Sequence, residues 1–295
     1  DNSTDDTAEK AAAAGATVMV RHDKEKRGKG YALDHVFSAT PPEVDAVVVI
    51  DADTWISPNI LRAFAARRDL GARAVQADYA VRNPDAGWRT RLIAIAFGAF
   101  HIVRSRARER LSLSCGLRGN GMCFSTELLR EIPHNAYSVV EDVEYGVRLG
   151  EAGYRVHYAD EAHVYGEMVT TSAAANTQRR RWEEGRKALI QQHAWRLLGA
   201  GIGRPSRVLF DLALDLYIPP LSRIAVGVFL GTLAATALLF WLGAGRLSLA
   251  AYGLGLSAVV AYVLRGWSVS GTGLRGLLDL ALAPVYVLWK LTVKF

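Results

Sequence analysis

The chain has 295 residues, of which 51% are hydrophobic, and its formal net charge is +6. A basic chain can bind nucleic acid, anionic lipid or phosphorylated substrates, but no arginine-rich helix interleaved with aromatic residues occurs here, so we predict no nucleic-acid partner. Cys115 and Cys123 have a spacing that matches no zinc or redox motif, and we predict that they are ordinary small hydrophobic residues in a reducing compartment.

Apolar residues are concentrated in the C-terminal part of the chain. Residues 1–200 are mixed and charged, whereas residues 208–295 are mostly Leu, Ala, Val, Gly and aromatic residues, and the mean hydropathy of the whole chain is +0.11. This shift predicts a domain over residues 1–200 and a membrane domain over residues 201–295.

The first elements alternate between helix and strand. The polar opening stretch Asp1–Thr7 is typical of a loop that follows a strand, so we expect the natural N-terminus and a first strand to be missing. A helix over 7–14, a strand over Thr17–Val20 and a helix over Tyr31–Ser38 are predicted next, which favours a doubly wound α/β domain. Between the last two, Lys29 belongs either to a solvated loop or to a flexible loop near a phosphate or base.

Ala46–Ile50 is the central stretch of this domain. Its five apolar residues, four of them β-branched, predict a strand buried on both faces of a parallel sheet. Asp51 and Asp53 follow it, and on an extended backbone their side chains point the same way. Two oxygen ligands at a strand end suit Mg²⁺ or Mn²⁺ carrying a diphosphate; the alternative is an ordinary turn.

The middle of the chain predicts more helices and strands, and three of its features are ambiguous. We predict helices over 58–68, 88–110 and 126–131, and strands over 74–79, 154–158 and 162–165. Glycines in Leu117–Phe124 indicate either the close approach of a ligand or a bulge. The basic end of helix 88–110 is either a solvated face or a contact for anionic lipid. His163 is either a metal ligand or a hydrogen-bonded histidine.

Two later stretches carry candidate catalytic side chains. Glu141-Asp142 starts a predicted helix, where the carboxylates either cap the helix or face a cleft as a general base. Gln178, Arg181 and Trp182 share one face of a predicted helix. Guanidinium groups bind diphosphate and an indole stacks on sugars, whereas the alternative is an exposed basic helix anchored by one tryptophan.

These motifs agree with one another. Asp51-Ala52-Asp53, Glu141-Asp142 and the run from Gln178 to Trp182 occur in an order that resembles the family 2 inverting glycosyltransferases, a group that includes cellulose, chitin and hyaluronan synthases. The likeness covers residues 1 to about 190. It implies an α/β fold of the GT-A (Rossmann-like) type, a nucleotide-sugar donor, and Mg²⁺ or Mn²⁺ as cofactor.

The resemblance also implies a role for each matching residue. Asp1 would lie near the nucleotide base, Lys29 in the nucleotide-contacting loop, and Asp51 near the ribose or diphosphate. Asp53 would hold the metal, and Asp142 would be the base that deprotonates the acceptor hydroxyl. The diphosphate and the acceptor sugar would be held by Gln178, Arg181 and Trp182. The family's usual Thr before Glu-Asp is Val140 here, and the missing first strand should leave an exposed sheet edge.

The apolar part predicts two or three membrane crossings. Pro220–Leu242 and Leu247–Leu264 are long enough to span a bilayer, the alternative being buried core helices. Leu277–Leu291 contains Asp279 and Pro284 and either spans or lies in the interface, and Val208–Ile218 resembles an interfacial helix. Arginines flank both spans, which predicts a multi-pass protein of the inner cell membrane with a cytoplasmic catalytic domain.

Together these patterns predict a membrane-bound inverting glycosyltransferase of polysaccharide or glycolipid biosynthesis. It would move a sugar from a nucleotide-sugar donor to a saccharide or lipid acceptor. Two alternatives remain open at this point: a hydrolase or nucleotidylyltransferase that uses the same metal site, and a non-catalytic or truncated membrane scaffold of the same fold.

Overall fold

The computed structural model describes residues 1–168, 184–185, 187–203 and 206–292. Within them a single mixed sheet of five strands has the spatial order β1-β4-β3-β5-β2. The strands are β1 (Ala46–Val49), β2 (Trp55–Ile56), β3 (Ala74–Val81), β4 (Met122–Ser125) and β5 (Val156–Gly166). Only β3 and β5 pair in parallel, and the other three pairs are antiparallel.

Helices surround the sheet and then continue into the apolar part. The first seven are α1 (Thr7–Ala13), α2 (Lys29–Ser38), α3 (Ile60–Asp69), α4 (Trp88–Phe97), α5 (Arg104–Arg110), α6 (Thr126–Glu131) and α7 (Glu141–Glu151). A π-helical segment, Gly98–Val103, joins α4 to α5, so the predicted helix over 88–110 is continuous. Another π-helical turn, Ile190–Ala194, precedes α8 (Trp195–Gly203), and α9 (Arg207–Tyr217), α10 (Leu221–Leu242) and α11 (Arg246–Val269) follow.

The α/β class is confirmed, but the prediction that Ala46–Ile50 lies inside a parallel sheet is wrong. Among the described strands, β1 is an edge strand that pairs with β4 alone, and three of its four residues are partly exposed. Thr17–Val20, predicted as a strand, forms no ladder, and Val20 is 57% exposed. The two short strands predicted over 154–165 are one strand, β5. It stays paired with β3 on both sides of a register shift that lies between Ala77 and Asp78.

The core lies on both faces of the sheet. Side chains alternate across β3 and β4, so Ala74 and Phe124 enter one apolar cluster while Val75 and Cys123 enter the other. Cys123 is buried and free, as is Cys115. Because β1 and β4 are antiparallel and Val49 pairs with Met122, the loop after β1 and the loop before β4 lie next to each other at the same end of the two strands.

Helix α9 packs against the α/β domain through a set of leucines. Leu209 and Leu216 join Val147 of α7 in a third buried cluster. Its two aspartates, Asp211 and Asp215, receive the guanidinium groups of α5. The predicted interfacial helix is therefore docked on one side by apolar contacts and ion pairs.

Those ion pairs divide the basic end of helix 88–110 into two faces. Arg108, only 6% exposed, lies 2.8 Å from Asp211, and Arg104 pairs with Asp215. Residues four apart share a helix face, so Arg104 and Arg108 point inward together. The interpretation as a uniformly solvated face is wrong for these two arginines, whose neutralising partners lie more than 100 positions later in the chain.

Helix α11 crosses the π-helical segment at two small residues. A Cβ built on Gly266 would lie 2.7 Å from the Cβ of Ala99, and the Tyr262 hydroxyl donates a 2.8 Å hydrogen bond to the Ala99 carbonyl. Close approach of two helix backbones requires such glycines. The end of α11 is thus fixed to the α/β domain.

Helices α10 and α11 are long and apolar enough to cross a membrane. In the most apolar 18-residue stretch of each helix, 6% of the residues of α10 and none of the residues of α11 are buried. They are therefore not core helices of the described chain. The third predicted segment is broken into Gly273–Asp279, a 3-10 turn at Leu280–Leu282, and Ala283–Thr292. Asp279 accepts a 2.5 Å hydrogen bond from Arg91 of α4, which holds this segment against the domain.

Candidate active site

The two aspartates that follow β1 lie in a turn. The Thr54 N–H donates to the Asp51 carbonyl at 3.1 Å, which closes a turn over Asp51–Thr54. The expectation of an extended backbone with both carboxylates on one side is therefore wrong, since the strand ends at Val49. Asp51 is partly buried, and Asp53 is exposed at the edge of the sheet.

Asn120 holds this turn from the neighbouring loop. Its side-chain oxygen accepts the Asp51 N–H at 3.1 Å, and its side-chain nitrogen donates to the Thr54 hydroxyl at 2.7 Å. Asn120 is 1% exposed, so these hydrogen bonds form away from water. Gly121, with φ of +66°, brings the loop against Val164, where a Cβ would lie only 2.9 Å from the valine methyl groups.

A buried glutamine on β3 fixes the same loop from behind. Gln76 donates to the carbonyl groups of Asn120 at 2.8 Å and Ala77 at 2.9 Å, and accepts the N–H of Arg118 at 2.9 Å. All polar atoms of this amide are engaged, which makes the loop rigid.

Lys29 joins the two loops. It is the first residue of α2 rather than part of a flexible loop, so its backbone is set by the helix. Its ammonium group pairs with the Asp51 carboxylate and donates to the Gly119 carbonyl at 2.6 Å. A cation is thereby placed between the aspartate turn and the glycine loop.

Asp142 faces the same point. A Cβ built on Gly119 would lie 3.5 Å from Oδ2 of Asp142 and 3.8 Å from Nζ of Lys29. Gly119 has φ of +75°, a left-handed backbone conformation that favours glycine, and both charged groups lie within ordinary contact distance of its Cβ position. The structure thus brings together Lys29, Asp51 and Asp142, which are widely separated in the sequence.

The environment of Asp142 disfavours its charged form. Burial raises the pKa of its carboxyl group, against the lowering effects of the Val143 N–H and the positive charge of Arg118. Glu141 is 8% exposed, and burial together with the charge of Asp142 raises its pKa to about 7. A carboxylate with a raised pKa is suited to take a proton from a hydroxyl group.

Tyr79 lies beside the aspartate turn. Burial, and then the charges of Asp51 and Asp53, raise the pKa of its phenol. A Cβ built on Gly166 would lie 2.6 Å from the phenol oxygen, so this glycine provides the room for the ring. Tyr79 is thus a polar wall of the site, close to both carboxylates.

Comparison with known proteins decides the family. A family model described as glycosyltransferase like family 2 matches residues 1–185, more than half of the chain. The chain belongs to this family. A search of the curated proteins found no match to it. Membership implies transfer of a sugar from a nucleotide-sugar donor to an acceptor.

Of the remaining predicted site residues of this glycosyltransferase, the structure describes only Asp1. The Asp1 carboxylate accepts a 2.6 Å hydrogen bond from Arg21, and within the described residues no hydrogen bond or ion pair joins it to Lys29 or Asp51. Gln178, Arg181 and Trp182 lie outside the described part of the chain.

His163 has a structural explanation in the glycosyltransferase domain. Its Nδ1 lies 3.0 Å from Oδ2 of Asp78, a carboxylate that is 2% exposed. The hydrogen bond to Asp78 raises the pKa of the imidazole. This is the hydrogen-bonded alternative of the sequence analysis.

The carboxylates of this glycosyltransferase site suit a metal ion that is bound partly by the protein and partly by the substrate. Across residues 1–168 and the later described ranges, no three His, Cys, Asp or Glu side chains lie together as a metal site. Asp51 is engaged by Lys29, which leaves Asp53 as the exposed carboxylate of the turn. Mg²⁺ is commonly held by one or two carboxylates plus substrate phosphates, and this arrangement fits that mode.

Three residues of the glycosyltransferase site were missed from the sequence: Gln76, Tyr79 and Asn120. Gln76 carried a usable signal, because a polar residue in the middle of the apolar run Ala74–Ala77 requires a buried partner. Asn120 lies between two glycines whose loop was noted, but its partners on the aspartate turn are 66 and 69 positions away.

Proposed function

We propose that this protein is an inverting glycosyltransferase that moves a sugar from a nucleotide-sugar donor to a saccharide or lipid acceptor. The observation that carries the proposal is the convergence of Lys29, Asp51 and Asp142 around Gly119. A cation and a partly buried base that lie close to one point suit a diphosphate leaving group and an attacking hydroxyl. A non-catalytic scaffold would not require this convergence.

The mechanism follows from these positions. Asp142 accepts the proton of the acceptor hydroxyl while the oxygen forms a bond to the anomeric carbon of the donor. The bond from that carbon to the diphosphate oxygen breaks, and the electron pair leaves with the diphosphate. Lys29 orients Asp51 and places positive charge beside the departing group. Asn120 keeps the turn in place.

The proposal includes a divalent cation held by Asp53. Mg²⁺ or Mn²⁺ bound with the donor would neutralise charge on the diphosphate. The resemblance assigns this role to Asp53, and the exposure of Asp53 at the edge of the sheet supports it. Asp1, Gln178, Arg181 and Trp182 remain proposed donor or acceptor contacts on the resemblance alone.

Transfer by direct displacement predicts inversion. Incubation of the full chain with a panel of nucleotide sugars, in the presence of saccharide and lipid acceptors, should give transfer from an α-linked donor to a β-linked product. Product configuration is read from the anomeric proton coupling by NMR. Retention of the α configuration would contradict a single displacement by a hydroxyl activated at Asp142.

We also propose that α10 and α11 anchor the protein in the inner cell membrane, with the catalytic domain in the cytoplasm. The side chains of both helices are exposed and apolar, for example Phe240 at 80% and Leu247 at 87%. Exposed apolar surface of this extent is costly in water. Arginines close to the domain, among them Arg207, Arg223 and Arg265, support the cytoplasmic orientation.

Anchoring predicts resistance to extraction. The full chain should stay in the membrane fraction during washes with high salt and alkaline carbonate, and should require detergent for release. Extraction without detergent would transfer two apolar helices from lipid into water, which is unfavourable. Sedimentation and immunoblotting of each fraction measure this. A monodisperse, fully soluble protein without detergent would rule the spans out.

A further inference from the structure

A second site candidate is a cavity of about 430 Å³ among helix α5, strand β5, helix α3 and the end of α11. Its charged lining comprises four arginines and two carboxylates: Arg67, Arg106, Arg110, Arg265, Glu109 and Asp160. The aspartate turn, Lys29, Asn120 and Asp142 do not line it. The volume lies in the range of small-ligand pockets, so the question is which ligand its charge favours.

The two carboxylates are already neutralised. Glu109 pairs with Arg155 at 3.0 Å and accepts the Tyr158 N–H at 2.9 Å. Both oxygens of Asp160 receive the Nε of Arg106, at 2.7 and 2.8 Å. Neither acid is left to balance the other arginines of the cavity.

Two arginines carry the surplus charge. Within the described residues Arg110 forms no ion pair, and Arg265 donates only to the Ser268 hydroxyl, at 3.2 Å. Arg106 bonds Asp160 through Nε, so its terminal nitrogens remain available. Arg67 is paired outside the cavity with Glu161. Three guanidinium groups therefore have donors to offer, and phosphate oxygens are the acceptors that suit them.

The position of Arg265 indicates where the ligand comes from. It lies near the end of α11, next to Gly266, which touches the domain. On the preceding turns Val260 is 49% exposed and Leu264 is 41% exposed. Arg265 thus lies where the apolar surface of α11 ends and the charged cavity begins. If α11 crosses a bilayer, lipid phosphates lie at this level.

We propose that this cavity binds the phosphate of an anionic membrane lipid through Arg106, Arg110 and Arg265. The inference rests on the proposed membrane anchoring and is independent of the proposed sugar transfer. A free phosphate offers the same oxygen acceptors, and the experiment separates the two sources.

The test is lipid binding to the full chain in non-ionic detergent, followed by native mass spectrometry. The probes are short-chain phosphatidylglycerol, short-chain phosphatidylcholine and inorganic phosphate. The variant Arg110→Gln/Arg265→Gln should bind phosphatidylglycerol about tenfold or more weakly, since two charge-assisted contacts are lost. Arg130→Gln, at an exposed arginine outside the cavity, is the matched control and should bind like the wild type.

Each outcome decides the proposal. Preference for phosphatidylglycerol over phosphatidylcholine, lost in the double variant, supports it. Equal binding of the two lipids, or unchanged binding by the double variant, overturns it. Inorganic phosphate that binds as tightly as phosphatidylglycerol overturns the lipid source and assigns the cavity to free phosphate. If the double variant unfolds at a lower temperature than the wild type, the single variant Arg110→Gln is used for the same comparison. This substitution removes no ion pair of the described residues. Carbonate extraction tests anchoring separately.

Discussion

Asp142→Asn should lower sugar transfer by about 10²-fold or more, the contribution typical of a general base. The amide keeps the size of the side chain and removes its ability to take a proton. Donor binding should survive, because Lys29 and the aspartate turn are unchanged. Initial rates of transfer and calorimetric donor titration measure the two effects. Near wild-type turnover would require a different base.

Glu141→Gln is the matched comparison for this prediction. Glu141 is adjacent, buried and acidic, but only Asp142 lies against Gly119 beside Lys29. The glutamine variant should therefore lose less transfer than Asp142→Asn. An equal loss in both variants would assign the proton to the pair of carboxylates.

The same reasoning sets the pH dependence. The base must be deprotonated, and burial raises the pKa of Asp142, so transfer should fall with decreasing pH at values above the usual aspartate range of about 3.9. A pH–rate profile of kcat/KM reports this limb. The acidic limb should disappear from the residual activity of Asp142→Asn.

Asp53→Ala should abolish the part of donor binding that depends on Mg²⁺ or Mn²⁺. Asp51 is held by Lys29, so the exposed Asp53 carboxylate is the group of the turn that we propose as the metal ligand. Isothermal titration with a nucleotide diphosphate, with metal and after chelation, measures the difference without any turnover. The wild type should bind at least about tenfold more weakly after chelation, and the variant should bind equally in both conditions.

A second aspartate serves as the control for this titration. Asp69 is exposed at the end of α3 and forms no ion pair within the described ranges. Asp69→Ala should keep the full metal response. Wild-type donor affinity that is unaffected by chelation would remove the metal from the proposal while leaving Asp142 as the base.

The sequence by itself determined the elements that depend on short-range pattern. The helices over 88–110 and 126–131 and the two long apolar helices follow from periodicity and composition within a few turns. The family was recognisable for the same reason, because Asp51-Ala52-Asp53 and Glu141-Asp142 are local motifs in a set order. The strand after Arg155 was found, but not its continuity, since the register shift is set by its neighbour β3.

Only the tertiary structure decided what those elements touch. The apolar composition of Ala46–Val49 predicts full burial, but full burial requires strands on both sides, and among the described strands β1 has a partner on one side only. Lys29 meets the Gly119 carbonyl across 90 positions, and Arg108 meets Asp215 across 107. Burial, hydrogen bonding and pKa depend on neighbours brought together by packing, and local sequence pattern carries no information about such long-range contacts.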